Sequence, residues 1–183
     1  MSVNPGVLFS SDPSSSSGSA PAIKGYYNAY FIGSGSNYWT TTSTTYADFT
    51  ATGTLPAPTV LQSSGFATIG GAASSLPGIK LTAPNTGLLR VTALCNLLLA
   101  DGGFTSGVQL FEGTSSTVLD LWGSFDNVSL GTDQFQVTLV GYFSVTVGTV
   151  YTFKIQGKVS ANTLFLGGET TDNCLGFKIE YIE

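Results

Sequence analysis

Gln134-Phe135-Gln136-Val137-Thr138-Leu139-Val140-Gly141-Tyr142-Phe143-Ser144-Val145-Thr146-Val147 is the most regular run in the chain. Phe135, Val137, Leu139, Gly141, Phe143, Val145 and Val147 fall on one side of an extended backbone. Gln134, Gln136, Thr138, Ser144 and Thr146 fall on the other. Side chains alternate across a strand with period two, so this run predicts a long strand with one buried face. Gly148-Thr149 then turns the chain into Val150–Lys158, where Tyr151, Phe153 and Ile155 alternate with Thr152, Lys154 and Gln156.

The same period appears elsewhere. Leu89, Val91, Ala93, Cys95, Leu97 and Leu99 alternate with Arg90, Thr92 and Asn96, and the chain closes on Leu175, Phe177, Ile179 and Tyr181. No window carries a sustained helical period, so helices are expected to be few and short. Glycine and proline punctuate the chain at Gly53, Pro56, Pro58, Gly65, Gly70-Gly71 and Pro77-Gly78, which breaks it into short connected strands. Turns at such intervals predict an all-β, antiparallel sandwich of the jelly-roll kind. In several strands the second face is apolar or uncharged too, with Leu88, Leu94 and Leu98 in one and Val140 and Tyr142 in another. Such a face calls for cover, which a second subunit would supply.

Composition points the same way. Only 9% of the 183 residues are charged, against roughly 25% in an average soluble protein. Mean hydropathy is +0.26, too apolar for a disordered chain. A net charge of −5 and a pI near 4.4 leave no basic footprint for nucleic acid. Histidine is absent, which excludes Ser-His-Asp and Cys-His catalysis and the usual imidazole metal site. The longest apolar stretch, Val91–Ala100, is too short to span a bilayer as a helix, so no membrane partner is expected. Met1–Pro13 lacks the basic and apolar regions of a signal peptide, and the two cysteines, Cys95 and Cys174, make neither a disulfide framework nor a zinc site.

The first quarter of the chain reads differently. Asp12–Pro21 is rich in serine, and apolar pieces bracket it: Val7-Leu8-Phe9 before, and Tyr26-Tyr27-Asn28-Ala29-Tyr30-Phe31-Ile32 after. Apolar segments beside a low-complexity linker suggest an arm that docks on a neighbour. Residues 1–35 are therefore expected to form an extended attachment arm, with Val7, Leu8, Phe9, Tyr26, Tyr27, Tyr30 and Phe31 as its contacts. Residues 36–183 are expected to form the β-domain.

Leu76-Pro77-Gly78-Ile79, Ala83–Ala93, Leu139–Thr152 and the terminal Gly176–Ile182 together resemble the trimeric jelly rolls of tumour necrosis factor and the complement globular head. They are more closely similar to the versions found in bacteriophage virion proteins. The similarity covers roughly residues 74–183. It implies a TNF-like fold, a homotrimer with apolar and aromatic residues of one sheet packed around the axis, and a place on the virion. Leu94, Leu98, Val140 and Tyr142 are the interface residues this assigns, and major capsid or other virion proteins are the partners. No shaft-like repeat precedes the domain, which favours a capsid decoration or cement protein over a tail-fibre or head-fibre tip that binds host glycan.

Chemistry beyond assembly has few candidates. Asp120 and Asp126 flank Trp122 and Phe125, a grouping that could hold a sugar or, as a carboxylate pair, hydrolyse one. A calcium site from Asp120, Asp126, Asp133 or Glu112 would need only oxygen ligands, but no Asp-x-Asp run or EF-hand pattern is present. The sequence therefore predicts a non-enzymatic protein with no cofactor and no metal.

Overall fold

A computed structural model describes residues 23–32, 38–53, 58–64, 77–100, 105–126, 133–167 and 173–182. Thirteen strands are formed among them, and no helix. They are β1 (Ile23–Ile32), β2 (Tyr38–Thr41), β3 (Ala47–Asp48), β4 (Thr50–Thr52), β5 (Thr59–Ser64), β6 (Gly78–Thr82) and β7 (Gly87–Ala100). After these come β8 (Thr105–Glu112), β9 (Thr117–Asp126), β10 (Asp133–Val145), β11 (Val150–Val159), β12 (Thr163–Leu166) and β13 (Asn173–Ile182).

All pairings are antiparallel and give two sheets. The first is built on the order β1-β13-β7-β10 and the second on β6-β11-β8-β9. Numbered along the chain as eight principal strands, these orders are first-eighth-third-sixth and second-seventh-fourth-fifth, the interleaving of a jelly roll. The shorter strands extend this frame. β5 adds to the free side of β1, and β12 pairs with the end of β7 beyond β13 and carries β2 and β4 outward. β3 shares one edge of β11 with β6.

The core lies between the sheets and follows the alternation. Leu89, Val91, Ala93, Cys95 and Leu97 of β7 meet Val108 and Leu110 of β8, Phe153 and Ile155 of β11, and Phe177 and Ile179 of β13, all buried. Each large apolar side chain withdrawn in this way contributes about 1.5–3 kcal/mol, so this layer dominates the stability. Two glycines let the layers close. A Cβ on Gly157 would collide with the Phe49 ring. A Cβ on Gly141 would come 2.5 Å from the Leu119 Cβ, where β9 and β10 bring the two sheets together.

Three expectations need correction. Tyr27 and Phe31 were assigned to the arm, but both are buried, because β1 runs between β13 and β5 as a full member of the first sheet. Tyr27, Ala29 and Phe31 point inward, and Phe31 packs edge-on against Trp39 with ring centroids 5.4 Å apart. An arm reaching to residue 35 is thus incompatible with the structure over Ile23–Ile32. Leu98 was assigned to the subunit interface, yet it is only 6% exposed; the register sets it between Gln134 of β10 and Phe165 of β12, where the sheet widens. Val147 was read as core and is exposed, because β10 ends at Val145 before the Gly148 turn. Val7, Leu8 and Phe9 lie outside the described residues.

Candidate assembly interface

The outer face of β1-β13-β7-β10 is built from the residues left over by the inward alternation. Register places them in rows across the four strands: Tyr26, Glu180, Arg90 and Tyr142 in one, and Asn28, Lys178, Thr92 and Val140 in the next. A third row holds Tyr30, Gly176, Leu94 and Thr138, and Ile182, Leu88 and Ser144 border the first on its other side. Tyr142 is 59% exposed and Leu94 38%, with Tyr26 and Leu88 similarly open and Val140 half-buried. Of the four expected interface residues, Leu94, Val140 and Tyr142 are open or half-buried on this face, while Leu98, on the same side of β7, is buried near its end. Scattered exposed apolar residues are ordinary; several on one sheet face make that face a candidate contact surface.

The face also has an ionic centre that sequence reasoning missed. Glu180 is only 5% exposed, and its carboxylate accepts a hydrogen bond from Lys178 Nζ at 2.8 Å and lies 3.5 Å from the directly opposed Arg90 guanidinium. Arg90 Nε is buried with no partner among the described residues. A buried carboxylate is tolerated only when paired, and two flanking cations meet that need. The available signal was Lys178 and Glu180 spaced by two in an otherwise apolar closing strand, which puts both on one face. Their partner Arg90 lies far away in sequence, and only the sheet register brings it to them.

The residues proposed for sugar contact are used internally where their side chains are described. Trp122 packs on Phe135 with ring centroids 5.4 Å apart. Asp120 accepts the Val140 N–H at 2.7 Å and the Leu121 N–H at 2.8 Å, tying β9 to β10. Phe125 and Asp126 belong to β9, but their side chains lie outside the described residues, as does that of Asp133. Glu112 is fully buried and accepts hydrogen bonds from Thr114 N, Ser115 N, Ser115 Oγ and Thr152 N. Its carboxylate locks the turn between β8 and β9. Among the described residues no three metal-ligating side chains cluster. Cys95 is a free thiol in the core, and burial raises its pKa.

No family model matches the chain, and no curated protein matches it. Similar solved structures include PRD1 vertex protein P5, at 15% identity and a TM-score of 0.38, covering 88% of this chain and 99% of the other. Another is Eiger TNF from S. frugiperda, at 10% identity and a TM-score of 0.47, covering 90% and 94% respectively. The assignment to the all-β jelly rolls stands on the strand order itself.

Proposed function

We propose that this chain is a virion structural protein that works as a homotrimer, decorating a phage particle and stabilising it without a catalytic step. The observation that carries the assembly part is the outer face of β1-β13-β7-β10, which no described segment covers, with Tyr26, Leu88, Leu94 and Tyr142 exposed around a buried ionic centre. A protein with 9% charged residues has little else to keep monomers apart, and obligate interfaces account for such a surface. The virion part is supported by the resemblance of residues 74–183 to phage jelly rolls. Residues 1–22, which include Val7, Leu8 and Phe9, are the attachment element in this reading, since Ile23–Ile32 is taken up by the sheet.

The experiment is quantitative mass spectrometry of purified particles of the source virus. Decoration predicts a copy number comparable to that of the major capsid protein. A handful of copies per particle would move the protein to the tail, and its absence from particles would sink the virion reading.

A further inference from the structure

The chain between β2 and β4 changes sheets twice. β2 and β4 pair with each other in the first sheet, yet β3 between them pairs with β11 of the second. Two glycines receive the segment there. Phe49 is buried inside the sandwich, where a Cβ on Gly157 would collide with its ring. Tyr46 lies over Gly107, and a Cβ there would stand 2.6 Å from the Tyr46 hydroxyl. Gly157 is opposed to Val108 and Gly107 to Lys158, so alternation turns the two glycines to opposite faces of the β8–β11 pair. Neither has a positive φ; each is a place where another group comes close to the strand backbone.

Polar contacts complete the grip on the outside. Lys158 Nζ sits 4.7 Å from the centre of the Tyr46 ring, and Asp48 takes Lys154 Nζ at 2.7 Å and Gln156 Nε2 at 2.9 Å. Ser43 O accepts the Val159 N–H at 2.8 Å. Residues 43–49 thus form a clasp that holds the β8–β11 pair from both faces. The clasp also covers an edge. Unpaired N–H and C=O groups along a strand edge are a template for pairing with another chain. Along β11, Val150–Lys154 pair with β6, and the Ile155 N–H goes to Pro77 O at 2.9 Å. Beyond that point, among the described residues, the clasp alone pairs with the edge, at Gln156, Gly157 and Val159. It ends the sheet in a strand of two residues, too short to act as a template in its turn.

We infer that residues 43–49 are an intramolecular guard, occupying backbone groups of Gln156–Val159 that would otherwise pair with the same edge of a second copy. An antiparallel contact of one edge with its own copy about a twofold axis is self-complementary. Centred on Gly157, it sets Gln156 of one chain against Lys158 of the other and opposes no like charges. The lysines that could repel a neighbour are engaged in holding the clasp shut. The guard does not depend on the reading of the first sheet's outer face, because β11 belongs to the second sheet.

The test follows the full chain by amide hydrogen exchange and by sedimentation across a concentration series, with thermal melting as the folding control. Tyr46→Ala combined with Asp48→Ala removes the outer grip and leaves Phe49 in place. The Val159 amide should then exchange about tenfold faster, while the Ile155 amide, held by Pro77, keeps its rate. The same variant should form species larger than the parent's that grow with concentration. Gly107→Ala displaces the Tyr46 hydroxyl without touching the core, so it should move both readouts the same way by less, and it serves if the double variant does not fold. Growth should persist when Tyr142→Asp is added, which charges the outer face of the first sheet; its loss would move the contact to that face and overturn the inference. A freed Val159 amide with sedimentation like the parent's at every concentration would mean that the clasp guards nothing. An unchanged Val159 rate in both variants would also overturn the inference, because the grip would not be what holds the clasp.

Discussion

Glu112 shows how one side chain can hold a turn by charge. Its two carboxylate oxygens take three backbone N–H groups and one hydroxyl, at 2.7–3.1 Å. Burial alone would raise its pKa, but the hydrogen bonds to Ser115, Thr114 and Thr152 outweigh burial and hold it below the ordinary 4.5. A carboxyl whose pKa is lower in the folded state stabilises the fold above its unfolded pKa, and that contribution is lost as pH falls through the folded value. Glu112→Gln puts an amide nitrogen where two donors already point. It should cost about 1–3 kcal/mol at neutral pH, and the gap to the parent should narrow toward about pH 3. Denaturant melts at both pH values check this; an equal gap at both would mean the ionised carboxylate is not what holds the turn.

At the scale of elements, β1 and the β9–β10 seam carry the sharpest expectations. Phe31 sits among Trp39 and Phe177, with ring centroids 5.4 and 6.5 Å away. Phe31→Ala should therefore cost about 3–5 kcal/mol, as a buried aromatic does, and not the near-zero of an arm residue. A truncation ending before Ile23 should keep the melting transition, whereas one that removes Ile23–Ile32 should abolish it. At the seam, Asp120→Ala leaves the Val140 N–H without its acceptor and should cost about 1–3 kcal/mol. Gly141→Ala forces a methyl group onto Leu119 and should cost about as much, read from the same melts.

These elements also show what the sequence made legible. The strands β7, β10, β11 and β13 were readable from period two alone, because each buries one face and the alternation records it. β1 carries the same signal, with Tyr27, Ala29 and Phe31 inward and Tyr26, Asn28 and Tyr30 outward. Its density of tyrosine read as adhesive surface, since an aromatic fits a core and an interface equally well. Leu94 and Tyr142 were placed correctly on an outer face by their parity. Which strands lie side by side is fixed by pairing between distant segments, so the Arg90–Glu180 contact had no local signature, whereas Lys178 and Glu180 could be placed on one face by their spacing.

At the scale of the whole molecule, the proposed assembly gives the scarcity of charge and the open sheet face a common cause. Charged side chains are spent where they have work to do: Glu112 on a turn, Asp48 with Lys154 at 2.7 Å on the second sheet, and Glu180 with Lys178 and Arg90 at the centre of the first. The face around that last cluster is left to tyrosine, leucine and threonine, a composition suited to contact with protein. The most direct measurement is the mass of the chain in solution by sedimentation equilibrium. A homotrimer built on this face predicts about 57 kDa, three times the 19.0 kDa chain, falling to a single chain in Tyr142→Asp. A parent protein that stays at 19.0 kDa at every concentration would contradict it.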